Sequence, residues 1–198
     1  MHTKRVTAIL CSLLLAIAVN AQPTAPTHPQ LREELLKMAE ADQKARAALT
    51  GVSLEEQQRN QRPIQHMMEV DRVNTKRLQA IVEKHGWPTI TMVGEDGAHA
   101  AWLLAQHADA NPDFQRKVLE MMEKLLPLDE VRASHVAYLH DRITRPQRYG
   151  TQGTCVAPGK WQPHELEKPD EVDRLREKAG IQPVKLAEYI ETMNQFCK

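Results

Sequence analysis

Three polar stretches of the chain carry side chains able to do chemistry at neutral pH. The first runs from Gly94 to Asp109, Gly-Glu-Asp-Gly-Ala-His-Ala-Ala-Trp-Leu-Leu-Ala-Gln-His-Ala-Asp. It is poor in charge and rich in alanine, which suits a helix packed on several sides, yet it holds His99, Gln106 and His107. A buried polar side chain without a partner costs about 1–3 kcal/mol. These groups therefore either close a structural network or face a pocket. Histidine exchanges protons near neutrality, so His107 is the natural general acid or base. The second stretch is Asp42-Gln43 with Arg46, where Asp42 and Arg46 are i, i+4 neighbours on a helix. Alone they read as a surface ion pair worth well under ~1 kcal/mol; in a site, Arg46 holds an anionic group. The third is Asp141-Arg142 followed by Gln147-Arg-Tyr-Gly-Thr-Gln152. In an extended chain Gln147, Tyr149 and Thr151 face one way, and Arg148 and Gln152 the other. Gly150 admits another backbone or a ligand at close range. The same donors would equally serve to cap helix ends.

Metal chemistry finds little support in the spacings. His99 and His107 stand about 12 Å apart along a helix and cannot share an ion. His107 and Asp109 point to different sides, and His135 and His140 are spaced no better. His164-Glu165 opens like a zinc-protease helix, but Lys168 stands where the second histidine belongs. A metal would need ligands gathered from several elements, so no metal and no other cofactor is expected. Asp71 and Asn74, i, i+3 on one helix, read as a solvated face. Nucleophile elbow, phosphate loop and dinucleotide fingerprint are all missing.

The elements that must position these residues are mostly helices. Leu31, Leu35, Met38, Ala41, Ala45 and Leu49 recur at helical spacing up to Gly51. Ser53 to Glu56 fits a capping box. A helix follows over 63–85, with Gly86, Trp87 and Pro88 at its stop. Residues 88–94 read as an extended connector, and Asp96 as the cap of a helix to about Ala108. Asn111-Pro112 opens another helix to Leu126. Further helices are predicted over 129–144, 169–179 and 183–196. Between them, residues 147–166 hold Gly150, Gly153 and the turn Ala157-Pro-Gly-Lys160, the marks of a hairpin. The fold class is mainly α, a multi-helix single domain over 30–198 with one short β-hairpin near 147–166.

The 198 residues are 41% hydrophobic and 26% charged, which suits a globular domain and not a disordered chain. Basic and acidic residues balance at 26 each, so no field draws the protein to nucleic acid. Residues 1–21 read as a signal peptide: Lys4 and Arg5 precede an apolar run from Val6 to Val19, and Val19-Asn-Ala21 fits a cleavage site. The run is too short for a membrane span. Residues 22–29 form a proline-rich spacer expected to pack on nothing. The protein is thus expected to be exported, periplasmic or extracellular. Cys155 and Cys197 are the pair left after cleavage, and an oxidising compartment leaves open whether they are bridged.

Four blocks together are similar to an uncharacterised bacterial family, one of the domains of unknown function. They are Met38-x3-Asp42-Gln43-x2-Arg46, His85-Gly-Trp-Pro-Thr89, Ala100-Ala-Trp-Leu-Leu-Ala-Gln-His-Ala-Asp109 and Pro146-Gln-Arg-Tyr-Gly-Thr-Gln152. The resemblance runs from about Leu31 to Tyr189. It brings no activity with it, but implies that these polar residues form one pattern. The expected site is a shared polar pocket. His107, Tyr149 and Asp141 are its acid–base residues, and Asp42, Gln43, Arg46, Gln106, Gln147, Arg148 and Gln152 bind the ligand. Metal-independent hydrolase- or lyase-type chemistry on a polar small molecule or envelope fragment fits these groups. So does an envelope module that binds a small molecule or peptide without turnover, and so does a buried network that only fixes helix register.

Overall fold

The computed structural model describes residues 25–52 and 54–197. The expected leader, and Ser53 as a helix cap, lie outside the described residues. The chain is mainly α. In order come α1 (Pro29–Ala47), α2 (Leu54–Arg59), α3 (Arg62–His85), α4 (Ile90–Gln106), α5 (Pro112–Leu125), α6 (Ala133–Ile143), β1 (Gly153–Ala157), β2 (Lys160–Pro163), α7 (Val172–Lys178) and α8 (Leu186–Asn194). The two strands pair antiparallel, as the Pro-Gly turn predicts. None of the helices among the described residues is long and apolar enough to cross a membrane.

One core, formed by Leu35, Leu78, Val93, Leu104, Val118, Met122 and Leu139, joins α1 and α3–α6. The alanines of α4 explain its central place: Ala98, Ala100, Ala101 and Ala105 are buried, and small side chains let neighbouring helices approach closely. α1 and α4 run in the same direction. Arg32 pairs with Asp96 near their N-terminal ends, and Asp42 meets His107 at their C-terminal ends.

Several boundaries differ from expectation for local reasons. The connector over 88–94 is already helical from Ile90, because the Thr89 hydroxyl accepts from the Met92 amide at 3.2 Å. The helix then breaks at Gly94, whose φ of 74° belongs to the left-handed region. Asp96, expected as its cap, lies inside the first turn of the second segment and accepts from the adjacent Gly97 amide at 2.8 Å. The spacer does pack: the Thr27 and His28 amides donate to the carbonyls of Thr91 and Met92 at 3.2 and 2.8 Å. α6 starts at Ala133 rather than 129, because Leu126–Leu128 form a 3-10 turn and Asp129 adopts a left-handed φ of 57°. Residues 147–152 are not a regular strand; Gln147 makes one isolated bridge to Leu166. The last helix begins at Leu186, not Pro183, because the chain at 183–184 wraps a buried cation. Arg176 is fully buried and donates to Pro183 O at 2.7 Å, Val184 O at 2.9 Å and Tyr149 O at 2.8 Å.

The hairpin, α7 and α8 thus form a C-terminal cap built around Arg176, Trp161 and Tyr189. Cys155 on β1 is bridged to Cys197, with Cα atoms 5.4 Å apart and a sequence separation of 42. Closing a loop of that length is worth about 4 kcal/mol in the chain-entropy account. The Cys155→Ser/Cys197→Ser double variant is therefore expected to unfold at a clearly lower urea concentration. An unchanged midpoint would mean that the bridge restrains nothing.

Candidate functional site

The structure sorts the sequence-nominated residues into two groups. The first forms where α1, α3 and the end of α4 converge. His107 follows the last residue of α4, so its ring projects from a helix end. Its Nδ1 lies 2.8 and 3.0 Å from the two oxygens of Asp42, whose side chain is only 1% exposed. Asp42 also accepts from Gln43 Nε2 at 2.9 Å and from Arg46 Nε at 3.3 Å. Burial pushes the Asp42 carboxyl up, but the hydrogen bond from the His107 ring and the Arg46 guanidinium outweigh it and hold it below the usual carboxylate range. An ionised carboxylate has no proton to donate, so the short contact requires His107 Nδ1 to carry the hydrogen. Arg46 Nε also lies 3.0 Å from Nδ1, but a protonated nitrogen cannot accept, and Nε–H is satisfied by Asp42. This tautomer leaves Nε2 with its lone pair, and no hydrogen bond occupies Nε2 among the described residues.

Arg46 spans the site. Its Nη2 donates to Asp71 at 2.6 Å, and its Nη1 lies 3.2 Å from the Met67 sulfur. Burial pushes the Asp71 carboxyl up, and the Arg46 charge only partly offsets it. The two carboxylates therefore titrate apart, Asp42 low and Asp71 high. Asp42, Asp71 and His107 offer ligand atoms within 4.8 Å of one another. These are the only such three among the described residues, and they come from three elements, as the spacings require of any metal site. The cation they surround is the Arg46 guanidinium, which contacts all three.

The second group lies beyond α6. Asp141 is fully buried and accepts from the amides of Arg148 at 2.8 Å, Tyr149 at 3.1 Å and Thr151 at 3.0 Å, and from the Thr151 hydroxyl at 3.0 Å. Gln147, also fully buried, donates to Gln152 O and His164 O at 2.8 and 2.9 Å and accepts from Gln152 N at 3.0 Å. Both side chains are spent on the backbone of the loop that carries them. Arg148 pairs with Glu167 at 2.9 Å. Tyr149 packs edge-on against His140, and burial raises its phenol. The Gly150 position is approached by Leu186: a Cβ there would lie 2.7 Å from its Cδ1.

A single thread links the groups. Arg142 pairs with Asp109, two residues past His107, and donates to Gln152 Oε1 at 3.0 Å. Gln106 is buried beside His107, and its Nε2 has no hydrogen-bond partner among the described residues. Sequence reasoning set Asp71 aside as surface. The available signal was its stripe: Met67, Asp71, Thr75 and Leu78 share one face of α3, and Thr75 and Leu78 are buried.

His99 faces a different neighbour. Its Nδ1 lies 3.1 Å from His135 Nε2, and His135 stacks on Trp102 with ring centroids 4.3 Å apart. Burial, with the charges of His99 and Arg132, pushes His135 down to about 3. A histidine whose folded value is depressed contributes stability above its unfolded value, near 6.5, which is lost as the pH falls toward the folded one. The unfolding free energy from urea titration should therefore drop between pH 6.5 and 4 by on the order of 3 kcal/mol. His135→Phe, which keeps the stack, should flatten that slope. An equally steep slope in the variant would place the acid sensitivity elsewhere.

Fold and site together define a mainly α, single-domain protein with a histidine–carboxylate centre at a three-helix junction. The chain belongs to a family of unknown function, DUF6624, whose profile matches residues 29–196 and so spans both polar groups. No curated protein and no solved structure matches the chain.

Proposed function

We propose that the protein is an exported enzyme of metal-independent hydrolase or lyase type, acting on a polar small molecule or envelope fragment at His107. The observation that carries this reading is the buried Asp42 carboxylate on His107 Nδ1, which orients the ring and leaves Nε2 as the base. In hydrolysis, Nε2 takes a proton from water as the oxygen attacks. The imidazolium then returns that proton to the leaving atom, with Asp42 stabilising the charge in between. In elimination the proton comes from carbon and goes to the leaving group. Neither route needs an external electron acceptor. Asp71 stands as a second proton carrier, and Arg46 fixes both carboxylates. Asp141 and Gln147 are left to support the loop. Export rests on the leader and is supported by the Cys155–Cys197 bridge, which suits an oxidising compartment.

The test incubates the protein with p-nitrophenyl esters, p-nitroanilides, p-nitrophenyl glycosides and a muropeptide digest read by mass spectrometry. Turnover of one class is expected, and His107→Gln should abolish it. Turnover that survives His107→Gln removes the histidine from the chemistry. A compound that binds and is recovered unchanged makes the protein a binding module.

A further inference from the structure

A groove between α1 and α4 leads up to the centre. It is a shallow, open groove of about 430 Å³, walled by Leu36, Ala39, Trp102 and Leu103, with Gln43 at one end. That size falls in the range of small-molecule sites. Gln43 is also the residue that donates to Asp42, and Leu103 lies one helical turn before His107. The groove and the histidine therefore share their boundary. Trp102 makes a fixed wall: its indole N–H donates to His135 O at 2.9 Å, and its ring is stacked on His135. A held aromatic face binds a flat or branched apolar group with little loss of side-chain freedom.

Charge narrows the occupant. The charged side chains among the lining residues are Glu40 and Asp96, both acidic; Asp96 is already paired with Arg32, which leaves Glu40 as the acid that sets the sign. His99 in the same wall is held below the usual histidine range by burial and by Arg132, so it adds little positive charge. At the far end two carboxylates, Asp42 and Asp71, surround one guanidinium. A carboxylate on the ligand would meet like charge at Glu40 and at the two-carboxylate centre, whereas an ammonium would meet opposite charge there beside the Trp102 wall.

We propose that the α1–α4 groove is the substrate's recognition subsite, and that it takes an aromatic or branched apolar group joined to an amine rather than to a carboxylate. The proposal deepens the acid–base reading and rests on it for the word substrate, but binding tests it separately. The probes are L-phenylalaninamide, a cation, and N-acetyl-L-phenylalanine, an anion. They are titrated calorimetrically into the full mature chain, the Leu36→Arg variant and the His107→Gln variant. The cation should bind at least tenfold tighter than the anion to the parent and to His107→Gln. Leu36→Arg, which puts a positive charge in the groove, should reverse or erase that preference. Equal affinity for the two probes, or no heat from either, overturns the groove assignment. So does a preference for the cation that survives Leu36→Arg. A lost turnover with an intact preference overturns only the catalytic reading.

Discussion

Asp42→Asn is expected to cut turnover by about 10³-fold in a protein that still folds, within the range that general acid–base catalysis contributes. The substitution keeps the shape of the side chain and removes its charge. An asparagine at 42 presents an N–H₂ as well as an oxygen, and Arg46 Nε already lies 3.0 Å from His107 Nδ1. With no carboxylate to demand a proton, Nδ1 becomes the acceptor of Arg46, and the ring hydrogen moves to Nε2. The nitrogen that faces substrate is then a donor where a base is required. The same exchange of tautomers accounts for the large loss of turnover when the aspartate of a serine-protease triad is replaced by asparagine. The check is kcat against pH for parent and variant on whichever chromogenic class is turned over. A fall of threefold or less would show that Asp42 does not set the state of His107.

Asp141→Ala should be the most destabilising single substitution outside the apolar core. The carboxylate receives three backbone amides and one hydroxyl, all from residues 148–151. Removing it strands those donors in a site without solvent, at about 1–3 kcal/mol for each group left unsatisfied. Even with partial relaxation the loss is on the order of 4 kcal/mol, which for a domain of this size lowers Tm by about 10 °C. Burial raises the Asp141 carboxyl, but the His140 contact and the amide hydrogen bonds outweigh it and hold it below the usual range. Its contribution is therefore present at neutral pH and is lost only in strong acid. Amide exchange at Arg148, Tyr149 and Thr151 gives the local readout. Protected amides at an unchanged Tm in the alanine variant would return Asp141 to the list of reacting groups.

The helices were legible because their signals are local. Asn111-Pro112 stands at a helix start, Gly86 follows a helix end, and the Pro-Gly turn sits between the strands; Pro29, read as part of the spacer, opens α1. Boundaries slipped where a distant group intervened. Arg176 binds the carbonyls at 183–184, and nothing near Pro183 in the sequence announces it. The polar residues were legible as a set but not in their partition. Asp42 and Asp141 are both acids beside a basic or aromatic neighbour. What separates them is whether backbone amides or a histidine ring arrive at the carboxylate, and that depends on folding across 65 residues in one case and ten in the other. Asp71 looked like surface because its partner, Arg46, is 25 residues away on another helix.

Arg176 carries a consequence for how the molecule comes apart. A guanidinium keeps its charge at every acidity at which the protein is folded, so its grip on Tyr149, Pro183 and Val184 does not depend on protons. The His99–His135 contact, on the α4–α6 side, does. Between pH 6 and 4 the two ends of the protein should therefore age differently. The helical body loosens first, while the cystine-tied cap, riveted through one permanent cation, is the last part to give way.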